Sequence, residues 1–553
     1  MGSRTRHVTP NSNGDGTIDQ RRRLLLVGPV LVAAALFLPS IGARLIYLGD
    51  EARYALLARN MVQTGDWLVP RIGGEVHMEK TPLFMWAIAA LSLAGREVTE
   101  RTAVLPAALS AIGGVAVTAC LGRRLFGPRA GLLAAFALTT SFGYFWHARM
   151  AFADMMVTFF TVAAALAFWT AVAGPSVRRL PMALCWACLG LGLAAKGPLG
   201  LLPLLPFGAF LVVDEGWSGL RRLRPLTGVA VLVVISLPWA LGFALQRETS
   251  YVQSVLIEDF LLPRARGWGR FSDLVFAIGP ITVGMLPWTP FLPAAAWRGW
   301  WTERDEVRRA FRFLVVWVLA YVVVVTVLPH KRDRYLLSAY PALALMIGWL
   351  WDRWAARPSP GAVRGHAWVW AGVSAAMAVA VLAPLRPRPE LAVLVPPTLA
   401  EKLPLVALLL VSAGLAVAAG RAGRPLAVFA AVCVPLALAL AYETKIFVAA
   451  HNRAYDVKAL SQRLAARAGP EAEILTYRYQ SLALQFYAGR TVRRARNVGE
   501  VMEVVSAGRP VYVVAEDRSW PDLVDVSRGA WTIVDHADVD GRSVSVRSPA
   551  ARP

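Results

Sequence analysis

The chain has 553 residues, 56% hydrophobic and only 17% charged, with a formal net charge of +22. Its apolar residues collect in runs of about 17 to 25, the length needed to cross ~30 Å of hydrocarbon, which excludes an ordinary soluble protein and reads as a polytopic α-helical membrane protein. The basic excess falls in short clusters between those runs, where it orients helices rather than binding nucleic acid, so nucleic acid is not an expected partner.

In chain order, residues 1–20 are polar and rich in Gly, Asn and Asp, and are expected to form a disordered cytoplasmic N-terminus rather than a signal peptide. The transmembrane domain is expected over residues 21–442, beginning with Arg21-Arg22-Arg23 inside and a first span at 24–48 that delivers Asp50 to the outer face. For Arg123, Arg124 and Arg129 to lie inside, the apolar stretch 83–94 must not cross. At about a dozen residues it is too short to do so, and it becomes a juxtamembrane helix in an outer loop spanning 49–101. The second span is then 102–122 and the third 130–147, which returns the chain to the outer face just before Asp154. Later arginine clusters at 178–179, 221–224, 298–312, 353–364 and 421–424 keep the pattern, for about thirteen spans. All four cysteines (Cys120, Cys185, Cys188, Cys433) lie in apolar runs and read as small core residues.

From residue 443 onward the hydrophobic runs shrink to strand length and the charges come nearly into balance, so residues 443–553 are expected to form a small α/β domain on the outer side. Strands are predicted at 473–477 and 510–516, and helices at 456–468, 480–488 and 498–506. No Gly-rich phosphate loop opens any of these helices, so no nucleotide is assigned.

The charges placed outside carry the chemistry. Residues 51–62 repeat apolar side chains at helical spacing, with Arg53 and Arg59 off the stripe, as in an amphipathic helix on the membrane surface. Asp50 is either an N-cap for that helix or a chemical group, and Glu51 is either dipole compensation or a second acid. Asp154 interrupts an apolar stretch, where an ionised carboxylate at mid-bilayer depth would cost roughly 2.5 to 3.5 kcal/mol. It must face a cavity, a cation or a partner, with Arg149 the nearest in sequence. Lys80 precedes a helix whose cap and first position suit Thr81 and Pro82, a place where free N–H groups and an ammonium can hold a phosphate; a solvated loop is the plainer reading. Only six of the 58 basic residues are lysine, and Lys80, Lys196 and Lys331 all fall in outer loops. Lys196 sits in a Gly-Pro turn where it either snorkels or binds a ligand. The run His330 to Tyr335 is either an interfacial anchor or part of a site.

These residues resemble the membrane-embedded GT-C glycosyltransferases, specifically the aminoarabinose transferase (ArnT) and protein O-mannosyltransferase group. The resemblance rests on Gly49-Asp50-Glu51-Ala-Arg53-Tyr54, Gly65-Asp66-Trp67, Glu79-Lys80-Thr81-Pro82-Leu83, Arg149 to Asp154, Lys196-Gly-Pro, Leu286-Pro-Trp288, Lys331-Arg-Asp-Arg334-Tyr335 and Pro341-Ala-Leu-Ala. These pieces cover residues 24–355 in order; beyond 360 little matches. The resemblance implies a GT-C fold of transmembrane helices with periplasmic juxtamembrane helices around the active site, and a C-terminal periplasmic domain. It implies an undecaprenyl-phosphate-linked sugar donor in the bacterial inner membrane, transfer with inversion, and a lipid, glycan or protein acceptor. Asp50 matches the catalytic aspartate and Asp154 the second acidic position, with Glu51 beside them. Lys80, Lys196 and an arginine of the 264–270 segment, taken as Arg264, match donor-phosphate contacts, to which Lys331, Arg334 and Tyr335 are added. No cofactor is fixed; the related oligosaccharide transferases leave a divalent metal ion open, with Glu79 and His77 as the nearby extra ligands.

Two other classes compete. A transporter or lipid flippase would place ionisable groups at depth on several central helices and often show paired half-repeats, whereas here they gather on one face and no repeat is evident. A signalling or scaffold protein would keep its activity in the C-terminal domain alone.

Overall fold

The structure is a computed structural model. It describes residues 27–77, 80–245, 274–328, 331–383, 396, 398–479, 482–527, 531–539 and 541–549. Among these, eight helices are long and apolar enough to cross a bilayer, from Glu100–Phe126 to Pro425–Ala454, and shorter apolar helices such as Val27–Phe37 and Pro82–Ser92 pack among them. The chain is a multi-pass membrane protein with a strand-containing C-terminal domain.

The expected outer loop folds as three pieces: helix Gly49–Thr64, a two-stranded hairpin of Arg71–Ile72 with Glu75–Val76, and helix Pro82–Ser92. Gly65 ends the first helix in the left-handed conformation that glycine adopts without strain. The expected second span appears as Glu100–Phe126, opened by a reciprocal capping box between Thr99 and Thr102. The expected third span is not continuous. It breaks into Pro128–Thr139 and Phe142–His147, and the break is satisfied from outside. Phe142 N–H donates to the Leu286 carbonyl at 2.9 Å and the Trp288 indole donates to Thr140 Oγ1 at 3.0 Å. The Leu286-Pro-Trp288 motif thus stitches a kink.

Helices in lipid associate through close packing rather than through hydrophobic exclusion of water, and small residues set the crossings here. A Cβ on Gly122 would sit 2.6 Å from Gly131 Cα, and one on Gly348 2.3 Å from the Ala130 carbonyl oxygen. The basic loops at 172–179, 214–224 and 303–312 meet at one end of the bundle. Arg222 pairs with Glu215 and donates to the Val172 carbonyl, while Arg309 pairs with Asp214 at 2.7 Å. Asp154 stands at the other end of helix Asp154–Ala171, whose 18 residues span about 27 Å.

The expected border at 443 falls inside helix Pro425–Ala454. After it come helix Val457–Ala468 and a five-stranded sheet in the order Arg493–Ala495, Glu473–Tyr477, Val511–Glu516, Arg542–Pro549, Trp531–Val539. The first three strands are parallel, joined by the crossover helices Leu482–Ala488 and Val498–Ser506, and the last two are antiparallel. The domain sits directly on the first loop. Arg59 donates to the Phe486 carbonyl at 2.6 Å and stacks on its ring at 4.1 Å, Tyr487 Oη accepts from Ile46 N–H at 2.7 Å, and Lys458 pairs with Glu100 at 2.8 Å.

Candidate active site

Five separate stretches converge at the loop end of the bundle. Helix Gly49–Thr64 presents Asp50 from its first turn, and its N-cap position is Leu48, so Asp50 does not cap the helix with its side chain. The 3-10 turn Asp333–Ala339 brings in Arg334, whose guanidinium lies 2.5 Å from Asp50 Oδ2 and 3.3 Å from Asp154 Oδ2. One arginine therefore bridges the two acids, and its own plane is stacked over the Phe152 ring at 4.4 Å. Lys196 pairs with the other oxygen of Asp154 and lies over the Tyr335 ring at 4.9 Å. Lys80 and Arg53 each stand 3.6 Å from Asp50 Oδ1, at ion-pair range without the short contact that Arg334 makes.

Backbone geometry holds these groups in place. Gly197 takes a φ of +62°, and Gly200 folds back so tightly that a Cβ there would lie 1.9 Å from the Gly192 carbonyl carbon. The Lys196-Gly-Pro-Leu-Gly run can only be made with glycine at both points. Thr81 occupies the N-cap position of helix Pro82–Ser92 but does not cap it. Its hydroxyl instead accepts from Gly197 N–H at 3.1 Å, which ties the Lys80 segment to the Lys196 turn.

Glu51 has a different fate from its neighbour. It is fully buried, pairs with Arg44 and accepts from Ala151 N–H at 2.9 Å. It therefore anchors the loop that precedes Asp154 instead of joining the cluster. Arg149, the sequence neighbour of Asp154, donates to Thr444 Oγ1 at 2.8 Å and stacks on Phe145, so the partners of Asp154 are Lys196 and Arg334. Lys331 is half-buried at the head of the Arg334 turn, and His77 closes the hairpin with its N–H on the Pro70 carbonyl. Arg264 and Glu79 lie outside the described residues. Arg44 was not legible as a site-supporting residue; a lone arginine between an apolar run and an acidic pair was its only signal.

The electrostatics favour a charged, unprotonated Asp50. Burial pushes its pKa up, but Lys80, Arg334 and Arg53 outweigh that and hold it at about 2. Burial lowers the affinity of Arg334 for its proton while Asp154 and Asp50 raise it more, so that group stays cationic. A divalent ion would have to displace these cations from both aspartates. Among the described residues no group of three or more His, Cys, Asp or Glu comes together. The carboxylates as arranged fit the protein's own cations.

A small cavity of about 20 Å³ adjoins the cluster. Asp154, Lys196 and Arg334 line it together with the apolar side chains of Val157, Leu199 and Leu328. That volume holds little more than a water, so a larger ligand enters only when these side chains part.

The family model described as dolichyl-phosphate-mannose-protein mannosyltransferase matches residues 79–241. Across 94% of this chain and 97% of the other, the fold superposes on apo ArnT from Cupriavidus metallidurans with a TM-score of 0.78 at 22% identity. The chain has the ArnT-like GT-C fold. The same ArnT bound to undecaprenyl phosphate gives a TM-score of 0.76. An oligosaccharyltransferase from Archaeoglobus fulgidus, at 12% identity and a TM-score of 0.56, shares the fold over 89% of this chain and 68% of its own. In sequence, the chain is 29% identical over 321 residues to the undecaprenyl phosphate-alpha-4-amino-4-deoxy-L-arabinose arabinosyl transferase of Edwardsiella ictaluri. That match spans 56% of each protein, so the chain aligns with a little over half the length of this relative.

Proposed function

We propose that this protein is an inverting glycosyltransferase that moves a sugar from a polyprenyl-phosphate donor to an acceptor at the periplasmic face of a bacterial inner membrane. The observation that carries the reading is the shared arginine: Arg334 bridges Asp50 and Asp154 while Lys80 and Lys196 flank them, beside a cavity lined by both charged and apolar side chains. Such a site suits a ligand that is a phosphate at one end and a hydrocarbon at the other. The mannosyltransferase-family match and the undecaprenyl phosphate held by the Cupriavidus protein support the same class of donor.

In the proposed reaction an acceptor oxygen attacks the anomeric carbon as the bond from that carbon to the donor phosphate oxygen breaks. The bonding pair goes to the lipid phosphate, whose negative charge grows. Lys80 and Lys196, already placed beside the two aspartates, stabilise that charge in a partly dehydrated site. Lys80 is the readier of the two, because its 3.6 Å approach to Asp50 is loose and a phosphate can draw it away. A carboxylate with a pKa near 2 is a poor proton acceptor at neutral pH. Asp50 is therefore assigned to placing the acceptor and holding the cations, a role that suits an acceptor already anionic, such as a phosphate.

The test is reconstitution in liposomes with an undecaprenyl-phosphate sugar and extracted envelope lipids, read by mass spectrometry of donor and product. Release of lipid phosphate together with a glycosylated acceptor supports the reading. Transfer retained by Asp50→Asn would reject the assigned role of that residue.

A further inference from the structure

The end of the bundle opposite the aspartates carries its own collection of cations. The short helix Leu292–Trp300 is pressed against helix Asp305–Val327, so closely that a Cβ on Gly299 would sit 2.1 Å from the Phe311 ring. Helix Tyr340–Ala356 packs against both. The ends of these three helices gather Arg298, Arg304, Arg353 and Arg357, with the other three all within electrostatic reach of Arg353. A cavity of about 330 Å³ is lined by Trp300, Trp301, Thr302, Glu303, Arg308 and Arg312. Glu303 also lies within electrostatic reach of Arg353, so the cavity and the cluster adjoin.

Two features go beyond the arginines that orienting a helix requires, since orientation depends on the number of basic residues near a span and not on their convergence. First, the charge is poorly compensated. Among the described residues none of the four arginines makes an ion pair or a side-chain hydrogen bond; Arg298 lies over the Trp354 ring at 5.9 Å and Arg353 over the Trp349 ring at 5.4 Å. Neighbouring carboxylates are engaged by other cations: Asp352 by Arg129, Asp305 by Arg308 at 2.8 Å, and Asp214 by Arg309 at 2.7 Å and Arg312 at 3.1 Å. Glu303 offsets part of the remaining charge. Arg304, Arg353 and Arg357 are exposed, so an anion from outside can reach them. Second, large indole rings stand outside the packed bundle here, with Trp297 69% and Trp301 67% exposed and Trp300 beside them. Tryptophans so placed on a membrane protein sit at the level of the lipid headgroups, which is also the depth of lipid phosphates.

We propose that this arginine cluster binds the headgroup of an anionic phospholipid, with guanidinium groups forked onto the phosphate and the tryptophan-lined cavity taking the glycerol beside it. The basic-loop rule assigns this end to the cytoplasmic leaflet, whose surface is rich in anionic lipid. A lipid suits the site better than a soluble phosphate because it brings apolar surface for the exposed indoles. The site is separate from the aspartates. Helix Asp305–Val327, whose 23 residues span about 35 Å, has Tyr321 and Val325 near its far end in the cavity beside Asp154. The bound lipid therefore fastens one end of a helix whose other end lines the candidate active site, and the inference does not depend on the transferase reading.

The test is native mass spectrometry of the full-length protein in detergent, titrated separately with phosphatidylglycerol, phosphatidylcholine and glycerol 3-phosphate. Phosphatidylglycerol is expected to bind about tenfold more tightly than phosphatidylcholine, and the double variant Arg304→Gln/Arg357→Gln to remove that preference. The charge-matched double variant Arg123→Gln/Arg124→Gln, at an exposed pair in another basic loop, is expected to keep it. Unchanged preference in Arg304→Gln/Arg357→Gln overturns the proposal. An equal loss in both double variants also overturns it, since the binding would then answer to diffuse charge. So does glycerol 3-phosphate bound as tightly as phosphatidylglycerol, which would make this a site for soluble phosphates. A further measurement needs no variant: phosphatidylglycerol is expected to raise the melting temperature of the unaltered protein above its value in phosphatidylcholine, and equal melting in the two lipids counts as refutation.

Discussion

Asp50 and Glu51 are neighbours in the chain, yet they build two different ion-pair regions. The Glu51–Arg44 pair is sealed, with Glu51 fully buried and also tied to Ala151 N–H. The Asp50–Arg334–Asp154 cluster is larger, partly exposed, and held at unequal distances from 2.5 to 3.6 Å. A sealed pair with one partner for each charge is a structural brace. A cluster with three or more cations on two acids has charge to exchange, and an incoming phosphate can compete for it. Adjacent acids on a helix point about 100° apart, which is enough to separate these roles.

Substitutions can break that contrast. The largest expected effect is on transfer by Asp50→Asn, a loss of about 100-fold or more with the melting temperature in detergent held within a few degrees. Glu51→Ala is expected to do the opposite. It strands Arg44 in a buried site, costs roughly 3–5 kcal/mol of stability, and lowers the melting temperature before it affects the chemistry of the protein that remains folded. If Glu51→Ala left the melting curve unchanged, the distinction between brace and site would collapse. Lys80→Ala and Lys196→Ala are expected to raise the donor KM about tenfold while leaving acceptor KM nearly unchanged, checked by varying each substrate separately. A loss shared equally by both substrates would count against phosphate binding.

The pH dependence sharpens the same comparison. Asp50 has its pKa lowered from 3.8 to about 2 by Lys80, Arg334 and Arg53 acting against burial. Its contribution to stability is therefore fully present above about pH 4 and is lost only as pH falls toward 2. The pH–rate profile should show no acid limb from Asp50 between pH 4 and 7, and a limb near pH 5–6 that disappears in Asp50→Asn would contradict the assignment. The smallest expected effect is Thr81→Val, which removes the bond to Gly197 N–H, costs about 1 kcal/mol, and loosens Lys80 relative to Lys196.

Much of the candidate site was legible because charge is expensive in a membrane protein. Asp154 in an apolar run, lysines in an arginine-rich chain and a Gly-Pro turn each demanded a partner, and Asp50, Lys80, Asp154, Lys196 and Arg334 do meet. Glu51 was not separable from Asp50 by sequence, since its burial depends on Arg44 and on a loop a hundred residues away. The break in the third span was missed for a similar reason: Thr140 and Phe142 are satisfied by residues 286 and 288, which periodicity cannot see. In the C-terminal domain the amphipathic helices and the two buried strands were readable from pattern. The edge strand Arg493–Ala495 and the antiparallel pair Trp531–Val539 and Arg542–Pro549 carry too weak an alternation to declare themselves.

The sequence by itself determined that the chain is a multi-pass membrane protein and which side chains are too costly to be in it without a purpose. Those outcomes follow from hydration energy and from backbone hydrogen bonds that must close locally in hydrocarbon. Only the tertiary structure decided that one guanidinium serves two carboxylates, that Thr81 fastens one lysine segment to the other, and that the C-terminal domain seats on the first loop through Arg59, Tyr487 and Lys458. Each of these joins residues tens to hundreds of positions apart, and such partners are selected by the packing of whole helices and not by any local preference of the chain.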